Sequence, residues 1–173
     1  GFILAAVTAA LVLPGADAFG YDVEQVVVIY LLAYVVGTFL TAQALVALPA
    51  AEDHRRPQLA LRGLLRRSPL LAGSLGFGIG SLAGIPPSVG FIAKLLVLAL
   101  LVAAQLWWVL GAALVGVAVS IHYYFSILRE AVVRPTEDVE ELAPLEVPFG
   151  TRFLAGLLMA ASVLGGLFIL FAA

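Results

Sequence analysis

Lys94 is the only lysine in this chain of 173 residues, and it lies deep in an apolar run. From Ser68 to Leu128 it is the sole formal charge. An ammonium at bilayer depth costs roughly 2.5–3.5 kcal/mol on the translocon scale, so such a group reads as functional, with proton relay among its main uses. Pro86 and Pro87 stand eight and seven residues before it. Proline has no N–H, so in a helix the carbonyls of Leu82 and Ala83 lose their donors. Those two oxygens are then open to water or to an ammonium. Snorkelling is the competing account of Lys94. The nearer end of the run is ten residues or about 15 Å away, well beyond a lysine stem of about 6 Å. The first half-helix would present its negative dipole end at the break and the second its positive end. These act oppositely on a nearby lysine, so the sequence alone does not set its protonation.

His122 is the second ionisable group in the apolar block, and histidine ordinarily changes charge near neutral pH. It is a candidate proton relay between Lys94 and the cytoplasm. Its structural alternative is a hydrogen bond among Ser120, Tyr123 and Tyr124, or an interfacial anchor. Thr38, Thr41, Gln43, Ser81, Ser88 and Ser120 can each hold water, although such residues more often join helix to helix. Gly76, Gly80 and Gly84 recur every four residues and predict a close helix contact. Tyr30, Tyr34 and Phe39 read as packing and interfacial residues.

These side chains must be positioned by helices in a membrane. The chain is 63% hydrophobic with a mean hydropathy of +1.12. Several apolar stretches reach the ~20 residues that span a ~30 Å hydrocarbon core. The alternating pattern of a transmembrane barrel is lacking. The expected fold is all-α, a polytopic transmembrane helix bundle with one interrupted helix. There is no cysteine, which excludes disulfides and iron–sulfur ligation. No P-loop, dinucleotide fingerprint or metal-ligand cluster appears. No cofactor, metal or nucleic acid is expected on this chain; the lipid bilayer is its expected surrounding.

The reading gives a single membrane domain over 1–173 with about five helices. A partial span covers 2–13 and ends at Pro14-Gly15. Full spans cover 23–48, 69–103 with a break at 85–88, 106–128 and 150–171. The first stretch is too short to cross and reads as the tail of a longer helix, so the chain is expected to be part of a larger protein. A polar stretch from Glu52 to Arg67 separates the second and third spans, and 58–65 within it reads as an interfacial amphipathic segment. A charged loop runs from Arg129 to Pro148.

Arginine sets the expected orientation. Five of the eight fall at 55, 56, 62, 66 and 67, and three at 129, 134 and 152. Both clusters face the cytoplasm if the broken helix crosses once. That places the turn near Gln105 and the acidic loop at Asp17–Asp22 on the far side of a bacterial inner membrane.

The run Ser81-Leu82-Ala83-Gly84-Ile85-Pro86-Pro87-Ser88-Val89-Gly90-Phe91-Ile92-Ala93-Lys94 closely resembles the interrupted helix of the antiporter-like subunits of respiratory complex I, NADH:quinone oxidoreductase, most of all the N type. Tyr30-Leu31-Leu32-Ala33-Tyr34 resembles the helix two crossings earlier. Leu61-Arg62-Gly63-Leu64 with Arg66-Arg67-Ser68-Pro69 resembles the loop into the broken helix, and Leu106-Trp107-Trp108 with Ile121-His122-Tyr123-Tyr124 the helix after it. The resemblance covers essentially the whole chain and only the last five of about fourteen helices, hence a C-terminal part. It implies two inverted repeats, as in many secondary transporters. The N type carries lysine at the position of Lys94, and the M type typically glutamate. At His122 the family often has tyrosine, so a relay there is not inherited from the family.

The resemblance implies a proton-translocating membrane-arm subunit, part of a translocating enzyme whose redox and quinone chemistry lies in other subunits. Its partners would be the other membrane-arm subunits. The D-type subunit of multisubunit sodium/proton antiporters shares the Pro-Pro-x-x-Gly-Phe-x-x-Lys pattern and is one alternative. A structural membrane subunit with a permanently paired Lys94 is another.

Overall fold

The computed structural model describes residues 1–13, 15, 17–48, 61, 63–132 and 147–172. Seven helices account for most of them: α1 (Phe2–Val12), α2 (Val23–Val46), α3 (Leu64–Arg67), α4 (Pro69–Ala83), α5 (Val89–Ala103), α6 (Trp107–Val132) and α7 (Phe149–Ala172). A small antiparallel hairpin, β1 (Asp17–Ala18) with β2 (Tyr21–Asp22), joins α1 to α2 and is the one departure from helix and loop among the described residues. Among the described residues three helices, over Val23–Val46, Trp107–Arg129 and Phe149–Phe171, are long and apolar enough to cross a membrane. The segments at 49–60 and 133–146 lie outside the described residues. So do half of the expected amphipathic stretch at 58–65 and arginines 55, 56, 62 and 134.

Local chemistry explains the helix ends. At the start of α2 the Asp22 N–H donates to Gln25 Oε1 at 3.0 Å, one half of a capping box. α4 begins with Ser68 accepting from the Leu71 N–H and with Pro69 in the first turn, where a missing N–H costs nothing. α5 ends at Ala103, and a tight turn through Gln105 at φ 54° leads into α6.

α2 organises the rest. Its C-terminal half lies on α4, where a Cβ at Gly78 would stand 2.6 Å from Thr41 Oγ1 and one at Gly37 3.1 Å from Leu82. Ser74 Oγ donates to the Leu40 carbonyl at 3.1 Å and accepts from Gln43 Nε2 at 3.0 Å. The N-terminal half of α2 lies on α5. There Val23 and Val26 share a core with Ile92, Leu96, Val97 and Leu100, and Ala33 meets Val89 and Ala93. Residue numbers on α2 rise as those on α5 and α4 fall. The two half-helices therefore run end to end along one continuous neighbour, antiparallel to it. Lipid tails are as apolar as leucine, so such helices associate through close packing and interhelical hydrogen bonds. The glycine contacts and the Ser74 bonds supply both.

The glycine stripe at 76, 80 and 84 behaves differently from expectation. Gly76 faces Leu128 of α6, and Gly84 lies beyond the end of α4 with φ 86°. The close approach to α2 is made by Gly78, half a turn away. A second core at the other end of α2 gathers Ala44, Leu61, Leu64, Leu71, Leu75 and Ala131.

Candidate functional site

The interruption is a built helix end. The Gly84 N–H donates to Ser81 O at 3.1 Å, and the Ile85 N–H to Gly80 O at 2.8 Å. This is a Schellman closure, and it needs the left-handed backbone that glycine adopts freely. It leaves the last two carbonyls of α4, Leu82 and Ala83, without backbone donors. Lys94 Nζ donates to both, at 2.7 and 2.8 Å. The ammonium thus completes the C-terminus of α4, where the helix dipole favours a cation.

Ser88 builds the other side. Its Oγ accepts from the Phe91 N–H at 3.3 Å, capping α5, and donates to Ile85 O at 2.8 Å. Pro86 and Pro87 form the exposed crest of the connecting turn. Three glycines let the parts approach. A Cβ at Gly84 would lie 2.9 Å from Lys94 Cδ, and one at Gly90 would fall on the Ser81 carbonyl. On the reverse side, a Cβ at Gly166 of α7 would stand 3.1 Å from the Val89 nitrogen and 3.2 Å from Pro87 O.

Lys94 is half-buried and opens onto a cleft of about 430 Å³ between α1, α2 and α6. Thr8, Tyr34, Ser120 and Tyr124 contribute polar groups to its wall. The Phe2 ring lies over the ammonium with 5.4 Å between Nζ and the ring centroid, a cation–π distance, and stacks on Tyr30 at 5.9 Å. The residues lining the cleft include no Asp or Glu. The charge of Lys94 is met by two carbonyl dipoles and the face of the Phe2 ring.

Among the residues singled out from sequence, Lys94, Pro86 and Pro87 share this site, with Ser81 and Ser88. His122 does not join them. Val109, Gly116, Ser120 and Tyr124 of α6 line the cleft. His122 lies two residues from Ser120 and from Tyr124, about 200° around the helix, and is exposed. Thr38, Thr41 and Ser120 spend their hydroxyls on carbonyls of their own helices. Phe2, Gly90 and Gly166 were given no structural role from the sequence. Gly90 had a signal: it lies four residues before Lys94 and so shares its helix face.

The class is that of a multi-pass helical membrane protein in which a lysine completes the end of a broken helix. A family model described as the transmembrane region of NADH:quinone oxidoreductase and Mrp antiporters matches residues 7–120, and the chain belongs to that family. It is 34% identical over 167 residues to NADH-quinone oxidoreductase subunit N 1 of Opitutus terrae, covering 95% of this chain and 31% of the relative. With subunit N 2 of Syntrophobacter fumaroxidans it shares 35% over 141 residues, 82% of this chain and 29% of the relative. The fold matches a chain of respiratory complex I from Thermus thermophilus with bound aureothin, at a TM-score of 0.67 and 30% identity. That match covers 96% of this chain and 43% of that one. The chain spans about a third of the length of these curated relatives. The likeness to subunit N read from Ser81–Lys94 is borne out by these matches.

Proposed function

We propose that this chain forms part of a proton-translocating membrane-arm subunit of an NADH:quinone oxidoreductase, with Lys94 as its proton carrier. The observation that carries the reading is the Lys94 ammonium on the Leu82 and Ala83 carbonyls, at a helix break that opens onto a cleft. An irregular backbone at membrane depth is tolerated where it is buried in protein or lines a wet cavity. A cation held by neutral carbonyls, with no carboxylate among the lining residues, can give up its proton without leaving a buried anion behind. Redox chemistry belongs to other subunits, and the other membrane-arm subunits are the partners. The end-to-end course of α4 and α5 along α2 supports a single crossing, with the arginine clusters on the cytoplasmic side of a bacterial inner membrane.

The names of the curated relatives favour the oxidoreductase over the antiporter branch of the family. The test is Lys94→Met in the assembled complex. It should assemble and oxidise NADH while proton translocation per electron collapses; translocation at the wild-type ratio would make Lys94 structural. His122→Phe should leave translocation within about twofold of wild type, because the side chain faces away from the cleft. A loss equal to that of Lys94→Met would make it a principal carrier.

A further inference from the structure

Ser81 occupies an unusual position. The residue is 2% exposed, and its Oγ finds no hydrogen-bond partner among the described residues. The serine and threonine hydroxyls nearby are spent: Ser88 on Ile85 O, Thr41 on Gly37 O, Ser120 on Gly116 O. A buried polar atom left unpaired costs about 1–3 kcal/mol, so this orphan calls for a ligand.

The space beside it answers to one. A second, small cavity of about 20 Å³ lies where α2 meets the two half-helices, walled by Tyr30, Tyr34, Ser81, Leu82, Gly90 and Lys94. A volume of roughly 10–15 Å³ admits one water, provided it finds at least two polar partners. Two are at hand. An ammonium has three N–H donors, and hydrogen bonds to Leu82 O and Ala83 O occupy two of them. The glycine at 90 keeps the space open, since a Cβ there would stand 2.8 Å from Ser81 Oγ.

We propose that Ser81 is a positioning residue whose hydroxyl holds a single water molecule in this cavity as the third acceptor of the Lys94 ammonium. The water accepts the remaining N–H of Lys94 and donates to Ser81 Oγ. The ammonium then faces three oxygens, two fixed in the backbone and one exchangeable. The exchangeable one is where a proton can enter or leave without breaking the helix end. This inference rests on the carrier reading of Lys94.

High-resolution maps of the assembled wild-type complex and of Ser81→Ala, paired with translocation measurements, test it. The wild-type map should show an isolated peak within about 3 Å of both Ser81 Oγ and Lys94 Nζ. In Ser81→Ala the peak should vanish while Lys94 keeps its two carbonyl bonds. Translocation should fall about tenfold, the scale of one charge-assisted hydrogen bond. An empty cavity in the wild type, or Ser81 Oγ turned onto a carbonyl of its own helix, overturns the proposal. So does a peak that survives in Ser81→Ala, or one lost without effect on translocation. Should Ser81→Ala not assemble, the wild-type map decides alone. Failure of the carrier reading looks different: Lys94→Met then translocates normally, whatever the map contains.

Discussion

Replacing Lys94 with arginine separates the charge of the site from its capacity to release a proton. The guanidinium has five N–H donors and stays protonated in proteins. It can therefore retain bonds to the Leu82 and Ala83 carbonyls, which the ammonium now makes at 2.7 and 2.8 Å. Each hydrogen bond to a charged group contributes about 1.5–3 kcal/mol, so keeping both preserves about 3–6 kcal/mol at the end of α4. Against this stands the bulk of the larger head beside Gly84, where the lysine stem already packs closely. Overpacking of that kind costs about 1–3 kcal/mol. Assembly should survive. Proton release should not. The ordinary pKa of arginine exceeds that of lysine by at least ~2 units, which makes the neutral form at least ~100-fold rarer in the same surroundings. Turnover limited by release should fall by at least that factor. Lys94→Met is the companion variant. It forfeits the two bonds but spares the roughly 2.5–3.5 kcal/mol cost of an ammonium at depth, so its net cost in stability is at most about 3.5 kcal/mol. The assay is NADH oxidation and dye-reported proton uptake, measured together on proteoliposomes containing the assembled complex. Wild-type proton uptake per electron in Lys94→Arg would refute the carrier role, because a permanent cation would then suffice.

The double variant Pro86→Ala with Pro87→Ala restores N–H donors to Leu82 O and Ala83 O, the two oxygens that Lys94 holds. Local helix stability should rise, by up to ~3 kcal/mol per proline removed, and translocation should drop. Normal assembly with normal translocation would sink the idea that the break serves proton transfer. Gly78→Leu should prevent the approach of α4 to α2 at Leu40 and Thr41. Assembled complex should fall at least several-fold in native gels, and wild-type amounts would show that this seam is not needed. Single cysteines replacing Phe19 and Gln105 should react with an impermeant reagent from the far side of the membrane, and one replacing the exposed Arg66 from the cytoplasm. Labelling of the Gln105 and Arg66 positions from the same side would remove the single-crossing account of α4 and α5.

The lengths of the apolar runs and the position of the break could be read from the sequence because they rest on local chemistry. A proline pair removes donors whatever surrounds it, and Gln105 with Trp107 ends an apolar run in any fold. The lysine was legible for a similar reason: one formal charge in a mostly apolar run of 61 residues has few alternatives. What could not be read was direction around each helix. A helix that is apolar on every side carries little facial pattern, so its inward face is chosen by its neighbours. That is why Gly78 and not Gly76 meets α2, and why Tyr124 and not His122 faces the cleft. Phe2 over Lys94 brings together residues 92 positions apart, a pairing for which the sequence held no signal.

The unbroken course of α2 beside both half-helices makes it a splint. A proline-bearing gap is usually taken for a hinge, but here any swing of α4 relative to α5 would peel one of them from a rail held by Gly37, Gly78 and the Ser74 bonds on one side and by Ala33 on the other. Gly166 of α7 braces the gap from behind. Motion at the break is therefore confined to what a splinted fracture allows: a rotating side chain, a shifting water, the last turn of a helix loosening and closing. Such small displacements can repeat many times without disturbing the contacts that join α2 to both half-helices.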